Sequence, residues 1–182
     1  MAIEIEKKYR LNFGQKQFVL NALEEVGAEF VGADFEENSL YHGGILIETN
    51  AVLRVRKTQD KTILTYKKRI QNEFNVKQQI EYETEVSNAE ELTNIIESLG
   101  FVKVLVYEKR RKTWCFRAVE IVLDELPFGE FMEIEGAITA IVEAEMFLDI
   151  EDFETEHATY PALAGKFGKK FNNLIESRFD EK

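Results

Sequence analysis

Several short stretches of this chain alternate strictly between two kinds of side chain, and the polar positions carry matched charges of one sign. A β-strand sends successive side chains to opposite faces, so a period of two assigns residues to faces. Glu4, Glu6, Lys8 and Arg10 fall on one face of the first stretch, with Ile3, Ile5 and Tyr9 on the other. Arg54 pairs with Arg56, Thr65 with Lys67, and Lys109 with Arg111 in the same way; Glu81, Glu83 and Glu85 share a face. Glu120 and Asp124 flank Val122, and Glu133 and Glu135 flank Ile134. Taken singly, each pair reads as an ordinary solvated face. Taken as a set they are harder to reconcile with open surface, because like charges on one face repel and surfaces intersperse signs. Acid-bearing and base-bearing strands that look at one another explain the set. Closing such a sheet gives a barrel with a charged lumen, which is costly to desolvate unless it is wet or filled by a charged ligand. Lys and Arg suit phosphate oxygens, and clustered carboxylates suit a hard divalent cation, Mg²⁺ or Mn²⁺. A polyanion together with a metal is the occupant that uses both sets.

The strand-like stretches cover residues 3–10, 35–41, 51–57, 62–70, 76–86, 102–116, 118–126 and 131–135. A helix is expected over 14–26 and stops at Gly27; a second starts at the cap Asn88 and ends at Gly100. From 137 onward the spacing turns helical, first through Ile138, Ile141, Val142, Glu145 and Leu148, then over 163–179, where Lys166, Lys169 and Lys170 would occupy a solvated helix face. The chain therefore reads as one α+β domain over residues 1–182, with strands within about 1–136 and a helical segment over about 137–182. Lys and Arg total 23 against 34 Asp and Glu, a net charge of −11, which argues against nucleic acid and against an acidic membrane surface as partners. The single cysteine, Cys115, excludes a disulfide framework and reads as a packed small hydrophobe between Trp114 and Phe116. With no secretory apolar region in MAIEIEKKYR and no membrane-length apolar run, a cytoplasmic setting is expected. His42 and His157 read as surface residues, so a histidine base is not expected.

Glu4-Ile5-Glu6-Lys7-Lys8 fits the ExExK opening of the CYTH domains, the triphosphate tunnel metalloenzymes. Leu53-Arg54-Val55-Arg56, Leu64-Thr65-Tyr66-Lys67-Lys68, Glu81-Tyr82-Glu83, Lys109-Arg110-Arg111, Leu123-Asp124 and Phe131-Met132-Glu133-Ile134-Glu135-Gly136 follow in order. The region around Tyr160 looks like the family's C-terminal helical segment, so the resemblance spans nearly the whole chain. One departure is Gln79, which stands where the family's RxExE strand often carries a basic residue. The resemblance implies a closed eight-stranded antiparallel β-barrel around a tunnel, flanked by helices, and metal-dependent chemistry on a triphosphate.

Carried onto this sequence, Glu4, Glu6, Glu133 and Glu135 are expected to hold Mg²⁺ or Mn²⁺, with Asp124 as a further metal ligand and Glu83 as a metal or water-positioning group. Lys8, Arg54, Arg56, Lys67, Lys109 and Arg111 are expected to cradle the phosphates, with Lys8, Arg56, Lys67 and Glu83 at the chemistry. The expected activity is hydrolysis of inorganic triphosphate, thiamine triphosphate or a nucleoside triphosphate. A class IV adenylyl cyclase acting on ATP in the same tunnel, and a non-catalytic polyphosphate-binding barrel, are the alternatives. Hydrolysis is preferred because the charged residues provide what a triphosphate needs, whereas no adenine pocket is visible. The stretch 41–45 reads as a loop at a tunnel mouth, and an apolar barrel exterior would suit a homodimer.

Overall fold

The structure is a computed structural model that describes residues 2–70 and 77–180, leaving aside the side chains of residues 2–4, 69, 70 and 77–79. In chain order it has β1 (Ala2–Leu11), α1 (Phe13–Glu25), β2 (Glu29–His42), α2 (Gly44–Glu48), β3 (Ala51–Lys57), β4 (Thr62–Ile70), β5 (Lys77–Val86), α3 (Ala89–Ser98), β6 (Val102–Phe116), β7 (Val119–Leu126), β8 (Gly129–Gly136), α4 (Ile138–Leu148), α5 (Tyr160–Phe167), β9 (Lys169–Phe171) and β10 (Leu174–Ser177). The strands form one sheet in the order β2-β3-β4-β5-β1-β8-β7-β6-β10-β9, and β2 also pairs with β6. These pairings are antiparallel except for β10 on β6, which is parallel. The fold is thus mixed α+β with an antiparallel sheet, as the alternation implies.

The apolar faces of the strands point toward the helices. α1 and α4 cover one side, where Tyr9, Trp114, Ile121, Met132 and Ile134 meet Val19 and Leu23 of α1 and Ile141 and Leu148 of α4. α3 lays Leu92 and Ile96 against Tyr41 and Val55. Local chemistry sets the helix ends. The Asn12 side chain accepts from the Gln15 amide, while the Gln15 side chain accepts from the Asn12 amide, a reciprocal capping box. Asn88 accepts from the amides of Glu90 and Glu91, and those carboxylates favour the helix's positive end. One polar tie fastens α4 to the sheet: buried Glu145 accepts from the Tyr9 hydroxyl at 2.6 Å and from the Lys7 ammonium.

The C-terminal region corrects the expected helix over 163–179. Thr159 caps α5 by accepting from the Ala162 amide, and the helix ends at Phe167. Gly168 then packs so closely that a Cβ would lie 2.6 Å from the Ala164 carbonyl oxygen and 2.8 Å from that of Glu176. The chain turns at Asn172, whose φ of 55° is one that asparagine tolerates, and β9 and β10 pair as a hairpin. Lys169 and Lys170 therefore lie on β9, and only Lys166 of the three lysines lies on a helix. The spacing of apolar residues resembled a helix because Phe167, Phe171, Leu174 and Ile175 happen to fall at that interval. The stretch 41–45 is likewise not a simple loop: β2 runs to His42, and α2 begins at Gly44. His42 and His157 are exposed, as expected. Among the described residues no helix is long and apolar enough to cross a membrane.

Candidate active site

The other faces of the strands supply the charged positions, and they line one cavity of about 360 Å³. Glu6 and Lys8 come from β1, Arg54 and Arg56 from β3, and Lys67 from β4. Glu81 and Glu83 come from β5, Lys109 and Arg111 from β6, Glu120 from β7, and Glu133 and Glu135 from β8. Asp124 is fully buried in the wall beneath Arg111. Of the expected site residues, only Glu4 is not placed: its side chain lies outside the described residues, as does that of Gln79.

Alternation also corrects the reading of Cys115. It shares parity on β6 with Lys109 and Arg111, while Trp114 and Phe116 share the opposite, core-facing parity. Cys115 is accordingly exposed and is not a packed hydrophobe.

Ion pairs join the cations to the acids around the cavity. Arg111 grips Asp124 through Nε at 2.8 Å and Nη2 at 2.6 Å, and Nη2 also donates to Glu133 at 2.8 Å. Lys8 stands 3.7 Å from Glu133. Arg56 reaches Glu83 at 3.1 Å and Glu36 at 3.7 Å, Arg54 reaches Glu83 at 3.3 Å, and Lys67 pairs with Glu81. Thr65 donates to Glu83 at 2.7 Å. Lys109 lies between Glu36 at 3.3 Å and Asp124 at 3.5 Å.

Burial and charge pull these groups apart in acidity. Burial alone would raise the Glu36 pKa, but the charges of Lys109, Arg111 and Arg56 outweigh it and hold the carboxyl well below its usual range. Asp124 behaves alike: Arg111 and Lys109 overcome the effect of burial and lower it. Glu133 moves the other way, raised by burial and by the neighbouring negative charge of Glu6. Burial and the positive charge of Arg111 lower Lys109. Burial pushes the Tyr107 hydroxyl up to about 12.

Register adds to the effect of burial on Glu133, which pairs with Lys8 but lies beside a row of carboxylates. Strand pairing sets Glu6 opposite Glu135 and Glu135 opposite Glu120, a row of carboxylates across β1, β8 and β7. Glu133 is the next inward-facing position after Glu135. Cross-strand like charges are destabilising unless something positive joins them. Their donor atoms are all carboxylate oxygens, which fits a hard divalent cation. Among the described residues no three such side chains already converge on a point that would hold a metal. Asp124, by contrast, has both oxygens engaged by Arg111, with Tyr160 on Oδ2 as well.

Sequence reasoning missed four contributors, among them Glu120, whose place on the face of Asp124 was seen but not read as part of the site. Glu36 faces Lys109 from β2, and the polar pair Glu36 and Asn38 at a spacing of two was the available signal. Glu81 shares the face already assigned to Glu83, yet only Glu83 was taken as a site residue. Tyr160 of α5 enters the cavity wall together with Thr159 and Pro161, and no periodicity marks it. Beside Tyr160 the same faces become apolar: Leu40, Leu105, Leu126 and Phe131 pack on Tyr160 and Leu163.

The CYTH domain model matches residues 2–177. The chain belongs to the CYTH domain family. A Methanocaldococcus jannaschii protein provisionally named an adenylate cyclase is 28% identical over 151 residues, covering 81% of this chain and 84% of that protein. A Pyrococcus horikoshii protein of known structure, with no activity in its description, is 27% identical with a TM-score of 0.74, covering 86% of this chain and 96% of that one. A Hippeastrum protein provisionally named an adenylyl cyclase, and described as having a dominant triphosphatase activity, shares the fold at 18% identity and a TM-score of 0.66; the match covers 88% of this chain and 93% of that one.

Proposed function

We propose that this CYTH protein is a metal-dependent triphosphatase that cleaves a triphosphate in its charged cavity. The observation that carries the reading is the division of labour around one cavity: a carboxylate row on β1, β8 and β7 and cations on β3, β4 and β6. The circuit β2-β3-β4-β5-β1-β8-β7-β6, completed by the β2–β6 pairing, is read as a closed barrel. In such a circuit β3 and β4 stand opposite β8 and β7, so the Arg54, Arg56 and Lys67 wall faces the Glu120, Glu133 and Glu135 wall.

The balance of charge also supports metal dependence. Glu6, Glu36, Glu81, Glu83, Glu120, Asp124, Glu133 and Glu135 are eight carboxylates, against the six cations Lys8, Arg54, Arg56, Lys67, Lys109 and Arg111. Such a cavity repels a bare polyanion. A divalent cation, which Glu6, Glu120, Glu133 and Glu135 would hold with Glu4 where the family motif puts it, would offset that excess and would supply Lewis-acid stabilisation and a bound water of lowered pKa. Mg²⁺ and Mn²⁺ are the candidates. Phosphate oxygens then compete with the carboxylates for the cations: Arg54, Arg56 and Lys67 exchange Glu81 and Glu83 for the substrate. Lys8, Lys109 and Arg111 stabilise the charge that develops as the terminal phosphoryl group departs. Glu83, released by Arg56, can accept a hydrogen bond from the attacking water. Asp124 serves better as the anchor of Arg111 than as a metal ligand, because its oxygens are already bonded.

The adenylyl cyclase reading draws on the name of the M. jannaschii relative and on Leu40, Val52 and Pro161, apolar residues that line the same cavity and could meet a base. A cyclase must hold the nucleoside firmly enough to aim its 3′-hydroxyl at the α-phosphorus. Among the described residues no Asn or Gln lines the cavity to read an adenine edge, which favours the hydrolase. Phosphate release from inorganic triphosphate tests the proposal. Activity should vanish in excess chelator, return with Mg²⁺ or Mn²⁺, and fall at least tenfold in Glu6→Gln. Full turnover in excess chelator would overturn the metal assignment.

A further inference from the structure

Tyr160 has two kinds of contact that packing of α5 does not require. Its hydroxyl donates to Asp124 Oδ2 at 2.8 Å. Its ring centroid lies 4.2 Å from the Lys8 ammonium of β1 and 5.4 Å from the Lys109 ammonium of β6. Both lysines are at most 5% exposed, and the tyrosine is 7% exposed. Phe131 packs its ring against Tyr160 at 5.4 Å in an edge-on arrangement, which fixes the ring plane. α5 is itself anchored, with Leu163 and Ala164 buried and Phe167 stacked on Phe128.

We propose that Tyr160 is the positioning residue of the cavity's cations: its ring face holds the Lys8 and Lys109 ammoniums in place, and its hydroxyl, through Asp124, fixes the Arg111 guanidinium. Three cations from two strands thereby take their orientation from one residue on the C-terminal segment. An aromatic face suits this task. It attracts an ammonium without a formal charge of its own, so it orients the lysines without adding to the carboxylates, Glu133, Glu36 and Asp124, that a phosphate oxygen must displace from them. A carboxylate in the same place would compete with that anion. The hydroxyl adds a further donor to Asp124, the carboxylate whose two oxygens hold Arg111.

The placement is testable without any ligand, whereas its consequence for triphosphate rests on the proposed function. In the full-length protein labelled with ¹³C-lysine, a ring 4.2 Å away should move the Lys8 ε-protons upfield of their free-lysine position, with Lys8→Arg giving the assignment. Tyr160→Phe should retain that shift, and Tyr160→Leu should abolish it. Lys8 ε-protons at their free-lysine position in the wild type, or unmoved by Tyr160→Leu, would overturn the proposal; the wild-type spectrum decides even if the leucine variant fails to fold. Calorimetric binding of Mg²⁺ with imidotriphosphate then reads the consequence. Tyr160→Phe, which loses the hydroxyl's hold on Asp124 but keeps the ring, should bind about threefold more weakly than wild type, and Tyr160→Leu, which also loses the ring that orients both ammoniums, at least tenfold more weakly. A purely structural tyrosine would instead lower the melting temperature of Tyr160→Leu and leave its affinity unchanged. If wild type does not bind the probe while the lysine shift is present, the triphosphate reading fails and the placement stands.

Discussion

Glu36 and Glu133 occupy the same charged interior and respond to it in opposite directions. A carboxyl whose pKa falls on folding stabilises the protein above the ordinary carboxylate range and loses that contribution as the pH drops through its folded value. Glu36, lowered by Lys109, Arg111 and Arg56 despite its burial, is of this kind. Glu36→Gln should cost about 3 kcal/mol at pH 7, since it leaves buried Lys109 with one fewer counter-charge, and the gap from wild type should narrow at pH 3. Urea unfolding at the two pH values checks this; an equal gap at both would contradict it. Glu133, raised by burial and by Glu6, contributes stability that is complete below its unfolded pKa and disappears as the pH rises through its folded value. Glu133→Gln should therefore be tolerated better at pH 7 than Glu36→Gln in metal-free protein, and should lose the stabilisation that Mg²⁺ confers. Thermal melts with and without Mg²⁺ read this directly, and a large loss of metal-free stability would count against it. Residue chemistry was legible where parity applied: Arg54, Arg56, Lys109, Arg111, Glu133 and Glu135 all share the cavity. Parity also held the answer for Cys115, where the aromatic neighbours misled. It held none for Tyr160, because a helix delivered from elsewhere in the chain leaves no period-two signature on the sheet it meets.

Among the elements, the strands were the most readable, with residues 51–57, 62–70 and 102–116 matching β3, β4 and β6 in extent. The helix caps Asn12 and Asn88 act through backbone amides within three residues, and that locality is why Asn88 could be recognised from sequence. The hairpin of β9 and β10 depends instead on β6, its parallel partner far back in the chain, and so its local pattern was ambiguous. Gly168 is the hinge of that departure from helix. Gly168→Ala would drive a methyl group against two carbonyl oxygens, and should destabilise the protein by about 1–3 kcal/mol. Urea unfolding measures the loss, and a neutral effect would mean that the turn between α5 and β9 relaxes freely. The same substitution should weaken ligand binding only as far as it disturbs α5, which carries Tyr160.

For the molecule as a whole, the six cavity cations are already compensated by carboxylates, so a triphosphate can add stability only by exchange. Mg²⁺ with triphosphate should raise the melting temperature well above either component alone, and monophosphate with Mg²⁺ should do far less. Arg56→Ala should remove much of that increment and Lys169→Ala, on exposed β9, little; equal shifts with sulfate, monophosphate and triphosphate would indicate a generic anion effect. The mixed α+β architecture with its antiparallel sheet followed from the sequence because period-two alternation marks the strands and their faces. The reaction did not follow with the same force, since one charged cavity can present a water or a ribose hydroxyl to a phosphorus atom. Phosphorus NMR of the products, with inorganic triphosphate and ATP supplied separately in Mg²⁺ and cyclic AMP assayed in parallel, therefore tests the central claim most directly. The account predicts that inorganic triphosphate is split to pyrophosphate and phosphate at least as efficiently as ATP is consumed. Intact inorganic triphosphate, with cyclic AMP and pyrophosphate as the dominant products of ATP, would contradict it.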